Sequence, residues 1–160
     1  MYRTGHYGVA LLTYAPVGFG LLIAGYSELA VGAGALVLLL TPVPDYDLRV
    51  PLLIHRGFTH TVAFAFLVAV VLGGVGWQLR GLAGAAVGFG IGLLAIGAHI
   101  LADILTPAGV KPFWPLSGRG YSIHLTRADS TFWNYLLLAL GVFVTVGGLL
   151  VLDPLGLGPA

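Results

Sequence analysis

Five apolar runs in succession, almost free of charge, constrain this chain more than any motif does. They cover about Tyr7–Ala24, broken only by Pro16, then Leu29–Val43, Thr61–Trp77, Leu82–Leu105 and Phe132–Leu152. A helix needs about 20 apolar residues to cross the hydrocarbon core of a bilayer, and it satisfies its own backbone there. The second run is short, so it reads either as a span with little tilt or as a re-entrant piece. The first is long and has further runs behind it, so it reads as a span and not as a cleaved leader. In water the chain would be untenable, since 58% of its 160 residues are hydrophobic and 8% are charged. A soluble domain is about 25% charged. The expected fold is an all-α membrane protein: one domain over residues 1–160, a bundle of four to five transmembrane helices with a polar metal site at one membrane face. Most of the 25 glycines lie inside the apolar runs, where small residues let membrane helices approach closely. A net charge of +1 offers no basic surface for nucleic acid. The absence of cysteine excludes disulfides and thiolate metal sites.

Five crossings would put the amino terminus, the Pro44–His60 segment and the Thr106–Thr131 segment on one side. That side holds Arg3, Arg49, Arg56, Lys111, Arg119 and Arg127, against Arg80 alone on the other. The positive-inside rule makes it the cytoplasmic side of a multi-pass plasma-membrane protein. Trp77 on one side, and Trp114, Tyr121 and Trp133 on the other, suit interfacial aromatic belts. All five histidines (His6, His55, His60, His99, His124) fall on the charged side, as do Asp45, Asp47, Asp103 and Asp129. The tail Asp153–Ala160 is short and expected to fray.

His99 and Asp103 are four residues apart and share a helix face. With Gly84, Gly88, Gly92 and Thr106 they fall within an arc of roughly 100°, so the pair points into the bundle. A carboxylate in a membrane helix is costly and needs a partner. The pair alone reads either as a hydrogen bond that caps and packs the helix or as two metal ligands on adjacent turns. Pro44-Asp45-Tyr46-Asp47 sets two carboxylates on the same side of an extended stretch, where they repel unless a cation or proton lies between them; a helix-ending turn is the plainer reading. His55-Arg56-Gly57-Phe58-Thr59-His60 packs two histidines and an arginine into six residues. Thr59 reads as a helix cap with His60 in the first turn, and an arginine beside a helix amino terminus favours an anion such as phosphate. A basic segment touching lipid headgroups would explain it too. His124, Asp129, Arg119, Arg127 and Lys111 read as solvated, headgroup-facing surface. No His-Glu-x-x-His, no Gly-rich phosphate loop and no Gly-x-Ser-x-Gly elbow occurs.

Gly5-His6, Pro44-Asp45-Tyr46-Asp47, His55 to His60, His99-Ile100-Leu101-Ala102-Asp103, Leu105 to Val110 and Trp114-Pro115, in this order, resemble the YdjM-like family of membrane-bound metal-dependent hydrolases, also described as LexA-binding, inner-membrane-associated hydrolases. The resemblance runs from His6 to about Pro115. It implies a polytopic membrane hydrolase with functional positions at His6, Asp45, Asp47, His55, His60, His99 and Asp103. One departure stands out: many members follow the Asp-x-Asp with a histidine, and Leu48-Arg49 follows here.

The reading that results is a metal-dependent hydrolase at the cytoplasmic membrane surface, acting on a phosphoester or lipid headgroup. His6, Asp45, His60, His99 and Asp103 would hold one or two divalent ions (Zn, Mn or similar). Asp47 or His55 would take the proton, and Arg56 would hold an anionic group. Membrane lipids are the expected surroundings and a lipid phosphoester the expected substrate. Two alternatives remain at this stage: a non-catalytic membrane module binding a cytoplasmic protein partner, and a small metal or proton transporter.

Overall fold

A computed structural model describes residues 1–51 and 54–153. The expected fraying of the tail Asp153–Ala160 falls, apart from Asp153, on residues 154–160, which lie outside the described residues. Four helices follow in order, α1 (Arg3–Ile23), α2 (Ser27–Leu40), α3 (Val62–Ile104) and α4 (Thr131–Leu152), with 3₁₀ segments at Pro44–Arg49 and Phe58–His60 between α2 and α3.

A straight helix of 43 residues would be about 65 Å long, twice the apolar thickness of a bilayer. The chain solves this by breaking α3 at Arg80 (φ −145°, ψ 21°) and Gly81 (φ 60°, ψ −144°), where glycine takes the left-handed backbone at no steric cost. The limbs 62–79 and 82–104 fold back on each other. The backbone of Gly76 lies against that of Gly84, and Gly88 lies against the Leu72 carbonyl, with no room for a side chain at either contact. The third and fourth apolar runs are therefore two crossings joined by a two-residue reversal, and the glycine stripe read from sequence faces the preceding limb. Gly88→Val is expected to force this seam apart and destabilise the protein by about 1–3 kcal/mol. Unfolding titration in detergent measures it, and an unchanged midpoint would contradict the seam.

The short second run, α2 together with its continuation through the Pro44–Arg49 segment, makes a stretch Ser27–Arg49 of 23 residues that is long and apolar enough to cross by length and composition, with Asp45 and Asp47 at its end. α1 and α4 run parallel, Gly8 against the backbone of Leu137 and Gly141 against Gly8. All five crossings thus begin or end at one face, which carries the 3₁₀ segments and the 106–130 connection. That connection is ordered by a β-bridge between Val110 and Tyr121 (N···O 3.2 and 2.8 Å). It also covers the end of α3: Ile123 N donates to Ile104 O at 2.8 Å and Leu125 N to Leu105 O at 2.9 Å, pairing carbonyls that a helix end leaves free.

Beside an apolar core that includes Ile96 and Val37, the interior also holds many polar side chains. The largest fully buried side chains include His6, His60, His99, Asn134, Thr41, Thr106 and Asp103, while Leu79, Leu82, Phe143 and Leu150 stand exposed on the outside. Apolar outside and polar inside is the arrangement that lipid demands.

Candidate metal centre

Four separate elements each bring a piece of the centre to the same depth. The first turn of α1 supplies His6, the Pro44–Arg49 segment supplies Asp45 and Asp47, the Phe58–His60 segment supplies His60, and the last turns of α3 supply His99 and Asp103. His60 Nε2 lies 3.5 Å from Asp45 Oδ1 and 3.5 Å from Asp103 Oδ2. His99 Nε2 lies 3.5 Å from Asp45 Oδ1 and 3.8 Å from Asp103 Oδ2, and His6 Nε2 is 3.5 Å from Asp103 Oδ1. The His6 and His99 rings stack with centroids 4.0 Å apart.

The far nitrogen of each ring fixes its orientation. His6 Nδ1 meets Tyr2 O at 3.1 Å and His99 Nδ1 meets Thr41 O at 2.9 Å. A carbonyl only accepts, so both Nδ1 atoms carry hydrogen and both Nε2 atoms present a lone pair. His60 follows the same logic through a hydroxyl. Thr59 Oγ1 donates to Asp47 Oδ2 at 2.8 Å and, with its proton so used, accepts from His60 Nδ1 at 3.0 Å. The lone pairs of His60 Nε2 and His99 Nε2 then face each other at 3.1 Å, an arrangement that a cation or shared proton relieves. His6 Nε2 is buried with no hydrogen-bond partner, which in a native structure calls for a ligand or ion.

These observations test whether the residues suit a metal ion, and they do. Donors bound at 2.0–2.2 Å to one ion are separated by roughly 3.0–3.6 Å in octahedral or tetrahedral geometry, and the observed spacings lie in or next to that range. Imidazole with carboxylate suits Zn, Mn or Fe. Each histidine carries the outer partner that metal-binding histidines need. Buried His and Asp groups here can hold a metal ion: His6, Asp45 and His99 form one set, and His60, His99 and Asp103 another. Asp45, His55 and His60 form a third at the outer edge.

The two carboxylates of Asp45-Tyr46-Asp47 do not point the same way, contrary to the extended reading. A 3₁₀ turn has three residues per turn, which swings positions i and i+2 apart. Asp45 faces the Nε2 atoms of His60 and His99, and Asp47 lies at the other edge of the His60 ring, its Oδ2 3.4 Å from His60 Nδ1. There it accepts from His55 Nδ1 at 2.9 Å, the Arg56 backbone N at 3.2 Å and Thr59 Oγ1. The helix cap also moves: Thr61 Oγ1, not Thr59, accepts from Phe64 N at 3.1 Å, so His60 precedes the helix. Arg56 points inward as well. Its Nη2 lies 3.4 Å from Asp103 Oδ1 and its Nη1 donates to Gly109 O at 3.3 Å. The amino group of Met1 lies 3.3 Å from the same Asp103 oxygen.

His124 and Asp129 stay out of the cluster, on an exposed loop where Asp129 pairs with Arg127 at 3.4 Å. Sequence reasoning missed the carbonyls of Tyr2 and Thr41, which no sequence signal marks. It also missed Asn134, a lone amide in an apolar run. Asn134 Oδ1 accepts from Tyr2 N at 2.9 Å and so ties α4 to the segment that carries His6.

Fold and centre together define a class: a multi-pass membrane protein with a buried His/Asp cluster, able to hold a metal ion, at one membrane face. The chain belongs to the YdjM inner membrane protein family, whose model matches residues 9–155. Over 68 residues it is 46% identical to inner membrane protein YdjM of Escherichia coli (strain K12), a match covering 41% of this chain and 32% of the relative. Inner membrane protein YdjM of Shigella flexneri matches with the same identity and coverage. The aligned segment thus spans about a third of the curated relatives' length. No solved structure matches the chain.

Proposed function

We propose that this protein is a metal-dependent hydrolase of phosphoesters, with its site at the cytoplasmic face of the membrane. The observation that carries the reading is the convergence of three imidazole Nε2 atoms and two carboxylates, each imidazole locked by its Nδ1 contact. Helix packing or capping would need one such pair, not five donors from four elements. His6, Asp45, His60, His99 and Asp103 hold one or two divalent ions. When bound, such an ion supplies Lewis acidity toward the scissile group and toward water.

The chain's own residues do the rest. His55, held by Asp47 and with its side chain 38% exposed, takes a proton from the attacking water. The water oxygen bonds to phosphorus, the ester P–O bond breaks, and the leaving alkoxide receives the proton back. Arg56 lies between Asp103 and the exterior and holds the anionic group close to the centre. The cytoplasmic assignment rests on the six Lys and Arg residues at the site face against Arg80 at the other.

Elemental analysis of the purified protein, followed by assays on soluble and lipid phosphoesters, tests the reading. One or two bound divalent ions per chain and metal-dependent turnover are expected. A protein that takes up no stoichiometric metal under any condition overturns it. Ion binding should also stabilise the fold, by about 2.7 kcal/mol at a hundredfold excess over Kd. A thermal melt with and without chelator reads this separately from activity.

A further inference from the structure

Next to the metal centre lies a cavity of about 530 Å³ between the 54–58 loop and the 108–120 part of the long connection. That is the size of a small-molecule site. Its charged and titratable lining residues are His55, Arg56 and Lys111, and no carboxylate is among them. Lys111 reads from sequence as headgroup-facing surface; the fold places it in the lining of the same cavity as Arg56.

Arg56 connects cavity and centre. Its backbone has φ 60°, a conformation that costs a non-glycine residue of order 1 kcal/mol or more and persists only where the surroundings impose it. The imposing contact is Asp47, which accepts the Arg56 backbone N–H at 3.2 Å. Thus fixed, the guanidinium reaches Asp103, while its Nε stays buried without a partner. The rim is apolar: Phe58 and Trp114 line the cavity and are exposed, and Ile54, also in the lining, is 83% exposed. A half-buried Arg56 and an exposed Lys111 in a cleft with an apolar, aromatic rim suit an amphiphile at the membrane interface.

We propose that this cavity binds the phosphate of a lipid headgroup between Arg56 and Lys111, with the apolar part of the lipid against Phe58 and Trp114. This deepens the hydrolase reading and rests on it for what happens to the bound ester, though binding itself can be measured alone. Lys111 acts as a point charge on the phosphate and is a substrate-binding residue with no part in holding metal.

The test compares wild type, Lys111→Met and Lys111→Arg, purified in detergent and saturated with divalent metal. Binding of inorganic phosphate and of a short-chain phosphatidic acid is followed by calorimetry. Lys111→Met should weaken both ligands about tenfold with metal content unchanged, Lys111→Arg should restore most of the loss, and wild type should bind the lipid tighter than inorganic phosphate. Equal affinities in wild type and Lys111→Met overturn the site. Equal affinity for the two ligands overturns the lipid assignment. A protein that binds phosphate in a Lys111-dependent way but holds no metal would sink the hydrolase reading and leave the anion site standing.

Discussion

Alanine at His60 is expected to remove bound metal and turnover together. His60 is central to the cluster: its Nε2 lies within 3.5 Å of both Asp45 and Asp103 and 3.1 Å from His99 Nε2. Losing only an outer partner of a metal ligand costs about 10–100-fold in affinity, so losing this donor should cost more than 100-fold. Turnover should fall to background, because the Lewis acid leaves with the ligand. The change also leaves Asp45 and Asp103 with less compensation for their charge in a buried site, so a stability loss accompanies it. A folding control is therefore part of the measurement. His124→Ala, on the same face but outside the cluster, should leave both metal content and turnover intact. If His60→Ala retains stoichiometric metal, the five residues do not form one centre.

Much of this was legible in the sequence, for a physical reason. Apolar run length and the scarcity of charge report directly on the solvent a chain requires, so the membrane bundle follows from them alone. That His6, Asp45, His60, His99 and Asp103 gather at one face follows from counting crossings, since an odd or even number of spans decides which loops share a side. Residue spacing on a regular helix is periodic, which is why the inward aim of His99 and Asp103 could be read. What sequence hid lies where the backbone is irregular. Whether Asp45 and Asp47 diverge depends on a 3₁₀ turn, and whether Thr59 caps a helix or relays between Asp47 and His60 depends on where α3 starts. Two residues of register, Thr61 as the cap in place of Thr59, separate those outcomes for the helix start. The bond from Arg56 to the Gly109 carbonyl joins loops 53 residues apart, and no local pattern encodes it.

His55 and Asp47 allow the second large effect to be split into separate consequences. If His55 is the proton acceptor, His55→Ala should lower kcat by about 10²–10⁴, the usual contribution of a positioned general base, and leave the metal count untouched. Asp47→Asn should do more. The amide keeps the volume but has one accepting oxygen where the carboxylate has two, and three donors converge there: His55 Nδ1, Thr59 Oγ1 and the Arg56 backbone N. Both the His55 orientation and the Thr59 relay to His60 then loosen, so metal affinity should fall about 10–100-fold on top of the kcat loss. Metal content and kcat measured on the two variants therefore separate the roles. The third donor set, Asp45, His55 and His60, gives His55 another use, as ligand to a second ion. In that case His55→Ala lowers the metal count from two to one, and the base must be sought elsewhere. An unchanged kcat in His55→Ala would remove this residue from the mechanism altogether.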